Sequence, residues 1–193
     1  MPDSFQPGGR APAPAPLRLV QDFVNTEIPE WARDDVGTPG ALAAWLQARG
    51  LLTEDSGVAA EVFVAARALR SALRELALAN TLGTPLPVAR RDEVDAALGA
   101  FTLAVRVPEG APRLVPTAAG ATGALAVIVA VVAEARATGA WERLKACRHE
   151  TCGWVFWDGS RNRSSSWCSM QVCGGRAKAR SYRRRHAGRS GVR

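Results

Sequence analysis

Histidine and cysteine are scarce in this 193-residue chain, and where they fall excludes several kinds of catalytic site. The two histidines are His149 and His186, and no cysteine precedes Cys147. Residues 1–146 also contain no glycine-rich phosphate loop and no nucleophile elbow. With no candidate base or nucleophile beside an open metal position, we expect that the protein is not an enzyme.

Residues 1–16 lack the apolar run of a secretory signal and are rich in proline, alanine and glycine. This composition predicts a disordered leader. Without an export signal, we expect the protein in the cytoplasm. Clustered cysteines in that reducing compartment bind metal more often than they form disulfides.

Acidic residues are scarce in the C-terminal quarter, so positive charge is concentrated there. Residues 147–193 contain eleven Lys/Arg and two acids, whereas residues 1–146 contain fourteen and sixteen. A local basic excess is typical of a surface that binds a polyanion, usually DNA or RNA. A solvated basic tail is the alternative.

Residues 117–133 contain no charged side chain, and seventeen residues are at the lower limit for a membrane-spanning helix. Much of the stretch is alanine and glycine, which contribute little transfer free energy. We therefore expect a helix buried in a globular core and no membrane contact.

Apolar periodicity predicts a separate, mainly helical domain over residues 17–143 with one β-hairpin. Helices are expected over 17–26, from Thr38-Pro39 onward, through 62–76, over 87–100 and over 118–138. Residues 101–107 alternate as a strand that 113–115 would pair with. On the third helix we expect Arg67, Arg70 and Arg74 to face solvent.

The first helix has two polar residues opposite its apolar face. Asp22 and Asn25 could line a small-molecule pocket. A solvent face, or a side-chain bond to the backbone, is the alternative.

All four cysteines lie in one C-terminal stretch with the spacing C-x4-C-x15-C-x4-C, at Cys147, Cys152, Cys168 and Cys173. Zinc needs four ligands to close a structural site, and two close pairs are the usual way to supply them. The sequence therefore predicts one structural Zn²⁺ on these four thiolates.

Residues 144–187 should form a small treble-clef-like finger, followed by a tail at 188–193. We expect a strand over 153–158 paired with residues 164–167, then a helix from Cys168 to about His186. Trp154, Phe156, Trp157 and Trp167 would form its core, which is small enough to need the metal.

Basic residues of the finger, together with one asparagine, are the candidate contacts to nucleic acid. One set is the loop between the expected strands, and the other lies along the final helix: Arg161, Asn162, Arg163, Arg176, Lys178, Arg180, Arg183 and Arg184.

The run from Cys147 through Gly153-Trp154-Val155-Phe156, Ser160-Arg161-Asn162-Arg163-Ser164 and Trp167-Cys168 to Cys173-Gly174 resembles the CGNR-type zinc finger. Residues 22–26 are similar to the start of the ABATE domain that normally precedes that finger. The family's name-giving asparagine is Gly175 here, and Ser165 and Ser166 occupy a stretch that tends to be arginine-rich.

The resemblance implies a bacterial transcription regulator with zinc on the four cysteines, DNA on the basic segment and an N-terminal domain that senses a ligand or stress signal. Two other functions fit the same residues: an RNA-binding or ribosome-associated zinc protein, and a zinc-stapled protein–protein interaction module.

Overall fold

A computed structural model of the chain describes residues 5–107 and 110–187. The predicted tail at 188–193 lies outside the described residues. The fold is mainly helical, with small β-hairpins, as the sequence predicts. Its helices are α1 (Leu17–Val24), α2 (Pro39–Gln47), α3 (Ala60–Leu82), α4 (Val88–Gly99), α5 (Gly120–Ala137) and α6 (Gly175–Ala187).

Six short strands pair as three antiparallel hairpins. They are β1 (Glu27–Ile28) with β2 (Arg33–Asp34), β3 (Leu103–Arg106) with β4 (Arg113–Pro116), and β5 (Leu144–Ala146) with β6 (Val155–Trp157). The β3–β4 hairpin was predicted from alternation. The β1–β2 hairpin was not, because strands of two residues are too short to show a period. β6 lies within the strand predicted over 153–158, but β5 was not predicted.

Local sequence signals account for several helix boundaries. The Thr38 hydroxyl accepts a hydrogen bond from the Ala41 N–H at 3.1 Å, and Pro39 is the first residue of α2, as predicted. Gly83 ends α3 in the left-handed conformation at φ +65°.

The hydrophobic core is built around α5. Ten of its residues are buried, and Leu125, Ala126 and Ile128 are fully so. By length and composition alone, this helix could cross a membrane. Here it packs against α1 and α3 in the centre of the protein, as the sequence predicts.

The β5–β6 hairpin belongs to this same core. Leu144, Ala146 and Val155 are at most 1% exposed and lie among the apolar side chains of the helices. From α3, Asn80 donates to the Leu144 carbonyl at 2.9 Å and Thr81 to the Ala146 carbonyl at 2.6 Å. The strand pair of the predicted finger therefore also completes the core of the helical part.

The predicted partner of the finger's strand is also wrong. Val155–Trp157 pairs with Leu144–Ala146, and not with residues 164–167. The latter segment is held instead by a buried carboxylate, because the Ser165 N–H donates to Asp158 at 3.0 Å.

Arg70, predicted to face solvent, is 1% exposed. Its guanidinium forms a two-bond ion pair with Asp34, each bond 2.7 Å long, and also donates to the Thr26 hydroxyl at 3.1 Å. The hydrogen bonds from Arg70 hold the pKa of Asp34 below its ordinary value. This partner comes from the β1–β2 hairpin, so helix periodicity could not reveal it.

The leader is ordered over residues 5–16, contrary to the prediction of disorder. Pro7–Gly9 form a 3-10 turn, and Ala13 is 3% exposed. The Ala13 N–H donates to the buried Gln21 side chain at 2.7 Å. Composition predicted disorder because it contains no information on contacts between the leader and residues distant in the sequence.

Asn25 joins α1 to the finger by two hydrogen bonds to one residue. Its amide donates to the Val155 carbonyl at 2.7 Å and accepts from the Val155 N–H at 2.8 Å. Replacement by alanine leaves the Val155 N–H without this partner, and its carbonyl keeps only the bond from the Gln21 amide, 3.2 Å long. We expect Asn25→Ala to lower the free energy of unfolding by about 1–3 kcal/mol, measured by denaturant titration of the zinc-loaded protein.

The matched control is Asn162→Ala, because Asn162 is exposed. We expect that substitution to change stability by less than about 0.5 kcal/mol. Equal effects of the two substitutions would contradict the structural role of Asn25.

Candidate functional site

Two tight turns bring the four cysteines together. The first connects β5 to β6, where Cys147 donates its N–H to Trp154 at 2.8 Å and Cys152 to His149 at 3.0 Å. The second opens the final helix. There the Ser169 hydroxyl accepts from the Val172 N–H at 3.3 Å, and a π-helical turn over Met170–Gly174 carries Cys173 into α6.

The sulfur positions fit a zinc tetrahedron. All four Sγ atoms lie within 4.8 Å of one another. The Cys152–Cys168 separation is 3.6 Å and the Cys168–Cys173 separation is 3.7 Å. A tetrahedron with Zn–S bonds of about 2.3 Å has edges of about 3.8 Å. A disulfide needs about 2.05 Å, and all four cysteines are free thiols.

The cluster is too buried to hold four thiolates without a cation. Each cysteine is at most 5% exposed. Hydrogen bonds from Cys152 and Cys168 lower the pKa of Cys147 to about 2, whereas bonding to Cys147 raises the pKa of Cys152 to about 12. Thiols packed together thus favour one thiolate, and a dication is what allows the others to ionise.

The aromatic core around the cysteines differs in one member from the predicted set. Trp154, Phe156 and Trp167 pack with the cysteines, but Trp157 packs against the helical core instead. Ile28 of β1 takes part in the cysteine cluster, so the helical part of the chain contributes directly to the wall of the metal site.

The leader clamps the second cysteine turn, a contact absent from the sequence predictions. Arg10 donates to the Cys168 carbonyl at 2.9 Å and to the Trp167 carbonyl at 3.0 Å. Its guanidinium also lies 4.6 Å from the centre of the Phe156 ring. The residues before α1 therefore help to fix the geometry of the ligands.

A buried ion pair organises the loop between the two cysteine turns. The Lys145 ammonium lies 2.9 Å from a carboxylate oxygen of Asp158, whose side chain is fully buried. Asp158 also accepts from the Ser160 hydroxyl at 2.6 Å and from the Ser165 N–H at 3.0 Å. Burial alone would raise the pKa of Asp158, but the hydrogen bonds from Ser160 and Lys145 hold it well below its ordinary value.

The predicted nucleic-acid contacts are all exposed. They lie in the loop after β6 and on the final helix: Arg161, Asn162, Arg163, Arg176, Lys178, Arg180, Arg183 and Arg184. Two of them lie close to acidic side chains. Arg176 pairs with Glu30, and Arg180 lies 3.8 Å from Glu150. Their role in binding stays a prediction.

Gly175 is the first residue of α6 and has ordinary helical angles, φ −61° and ψ −46°. A Cβ added there would lie 3.8 Å from the Met170 carbonyl oxygen, which is normal contact. The position thus has room for the asparagine found in CGNR-type fingers, and glycine is not required by packing.

Asp22 and Asn25 both line a cleft of about 920 Å³ between α1, α2 and the β1–β2 hairpin. Asp22 pairs with Arg18 at 3.0 Å, and the Asn25 amide is already bound to Val155. Trp154, two residues after a cysteine ligand, is part of the same lining. The cleft and the metal site therefore share a wall.

A family model described as "Putative stress-induced transcription regulator" (ABATE) matches residues 17–149, about two thirds of the chain. The chain belongs to the ABATE family. A second model, the CGNR zinc finger, matches residues 143–186. The two ABATE and CGNR matches overlap on residues 143–149, the segment that contains β5 and Cys147. No curated protein matches the sequence.

Together, the CGNR match and the sulfur geometry confirm a single structural zinc site in this ABATE protein. Cys147, Cys152, Cys168 and Cys173 would hold the ion. Four thiolates complete its tetrahedron, so the metal supplies cross-linking and charge compensation between the hairpin and the final helix.

Cys152→Ser should abolish zinc retention and destabilise the whole protein, because the hairpin that carries Cys152 lies in the helical core. We expect a zinc content close to zero per chain by elemental analysis. We also expect far-UV and tryptophan signals to lose stability together in a denaturant titration.

Thr151→Ser, in the same turn with an exposed side chain, is the matched control and should retain one zinc. Stoichiometric zinc in Cys152→Ser would contradict the ligand assignment. A helical signal that melts as in wild type would contradict the shared core.

Asp158→Asn should destabilise the protein by about 3–5 kcal/mol, because it leaves the buried Lys145 ammonium without its countercharge. Glu150→Gln removes a carboxylate whose side chain is 85% exposed and should cost less than about 0.5 kcal/mol. Denaturant titration of both zinc-loaded variants measures the difference. A change at Asp158 no larger than that at Glu150 would contradict the role of the buried pair.

Proposed function

We propose that this protein is a transcription regulator that binds DNA through its zinc finger and senses a small molecule in the cleft. The observation that carries the DNA-binding part is the position of the exposed arginines. They stand on a helix that begins two residues after the ligand Cys173, so zinc would fix the direction of that helix.

Charge and geometry both favour a polyanion as the partner. The segment from Cys147 onward has eleven basic and two acidic residues, and α6 is long enough to lie along or within a major groove. Arg161 and Asn162 lie exposed in the loop after β6 and would add contacts to phosphate.

The contact between Arg176 and Glu30 does not oppose this function strongly. Both side chains are at least partly exposed, at 49% and 21%, and exposed ion pairs contribute little to stability. Phosphate oxygens would replace the Glu30 carboxylate at small cost.

We assign ligand sensing to the cleft because its lining includes residues from the ABATE helices and from the zinc finger. Asp22 and Asn25 come from α1, and Trp154 comes from the metal-binding finger. A ligand in contact with Trp154 would act directly on the packing around the cysteines.

The same features support two narrower expectations. Four buried thiolates leave zinc without an open position for substrate, so we propose no enzymatic activity. Since the cysteines must stay reduced to bind zinc, we propose a cytoplasmic location.

The test is fluorescence anisotropy with a duplex DNA pool, at several salt concentrations, before and after zinc chelation. We expect binding that is lost with zinc and falls steeply with salt, by a slope of about −0.9 per phosphate contacted. Replacing Arg180, Arg183 and Arg184 together with glutamine should reduce the magnitude of that slope by about 3.

Arg136→Gln is the matched control, because Arg136 is an exposed arginine on α5 outside the finger, and its slope should equal that of wild type. Binding that ignores both salt and zinc would contradict the proposal. Structured RNA that outcompetes duplex DNA would favour RNA binding, and negligible affinity for either at physiological salt would favour a protein–protein module.

A further inference from the structure

The cleft has the size and lining of a small-molecule site. Its volume of about 920 Å³ lies within the range of about 300–1,000 Å³ that is usual for such sites. Apolar surface comes from Ile28, Trp45, Trp154 and the alanines of α2. The Trp154 ring also packs edge-to-face against Phe5 of the leader, with ring centres 6.1 Å apart.

Among the described residues that line the cleft, the charged side chains leave an excess of one positive charge. Arg18 is paired with Asp22 at 3.0 Å, and Arg33 is paired with Asp35 by two bonds of 2.7 Å. Arg49 is the third arginine of the lining, and no carboxylate of the described residues lies within ion-pair distance of it.

Arg49 is held in place with most of its hydrogen-bonding capacity unused. Its guanidinium lies 3.8 Å from the centre of the Trp45 ring and donates one hydrogen bond, of 3.2 Å, to the Trp45 carbonyl. A guanidinium has five N–H donors in a planar fork that matches a carboxylate. Stacking on Trp45 fixes the plane of that fork before any ligand arrives.

Burial lowers the pKa of Arg49, although its attraction to Asp22 acts in the opposite direction. A cation that has lost part of its hydration without forming an ion pair interacts strongly with an incoming anion. The two arginine–aspartate pairs are each neutral, so one negative charge is what the described residues of the lining can balance.

We infer that the cleft binds a small organic monoanion, with its carboxylate on Arg49 and a planar apolar body against Trp45, Ile28 and Trp154. This inference rests on the proposed sensing role and names its ligand class. A neutral ligand would leave Arg49 uncompensated, and a cation would add to the positive excess.

The test uses the zinc-loaded full chain and benzoate as the probe, followed by NMR through the indole N–H signals of Trp45 and Trp154. We expect saturable shifts of both signals, with a dissociation constant at or below about 10 mM, as befits a molecule of this size. Benzamide, which has the same shape without the charge, and benzylammonium should each bind at least tenfold more weakly.

Arg49→Gln should weaken benzoate binding at least tenfold and remove the preference for benzoate over benzamide. Arg136→Gln, which removes an exposed arginine elsewhere, should leave both unchanged. Arg49→Lys retains the charge without the fork, so it should retain the preference for benzoate at reduced affinity. The charge preference in the wild-type protein tests the inference even if a variant at Arg49 does not fold.

The inference is overturned if benzoate does not bind at about 10 mM, if benzamide binds the wild-type protein equally well, or if a folded Arg49→Gln binds benzoate as wild type does. Because this assay contains no DNA, its failure leaves zinc-dependent DNA binding intact. Binding of benzoate that never alters affinity for DNA would instead remove the sensing role and leave the anion site.

Discussion

The β5–β6 hairpin packs in the core of the helices and also carries two of the four zinc ligands. Most of the structure depends on this double role. Leu144, Ala146 and Val155 lie within the core of the helices, while Cys147 and Cys152 lie in the turn between the strands. The zinc site therefore shares part of its framework with the helical core. Structural zinc contributes about 10–16 kcal/mol of binding free energy in small fingers, which is comparable to the whole stability of an ordinary domain. Here that free energy stabilises the helical core as well, because loss of the zinc site would also displace the hairpin from the core.

The cleft and the zinc site are also linked by residues that belong to both. Ile28 and Trp154 each pack in the cysteine cluster and line the cleft, and Asn25 holds the backbone of Val155 beside them. A ligand can alter DNA binding only by binding two states of the protein with different affinity. Two such states would have to differ in the packing of Ile28 or Trp154, because these residues belong to both sites.

Features determined by adjacent residues could be predicted from the sequence, and those determined by distant partners could not. The cap at Thr38, the central helix α5 and the four-cysteine site follow from local chemistry and spacing. The buried Arg70 did not, because its countercharge Asp34 lies in a two-residue strand without a detectable period. The leader was misjudged for a related reason. Its composition is that of a linker, but Arg10 finds two free carbonyls at Trp167 and Cys168, about 160 residues further along.

The long-range contacts of the other buried cations show how Arg49 differs from them. The buried or clamping cations each have a defined partner: Arg70 has Asp34, Lys145 has Asp158, and Arg10 has two carbonyls and an aromatic ring. The arginines of α6 are exposed, and water can solvate them at little cost. Arg49 fits neither group, because it is partly buried in a cleft and no carboxylate of the described residues lies within ion-pair distance of it. Among the described residues Arg49 donates a single hydrogen bond, so a ligand carboxylate in the cleft would use its remaining donors and balance its charge.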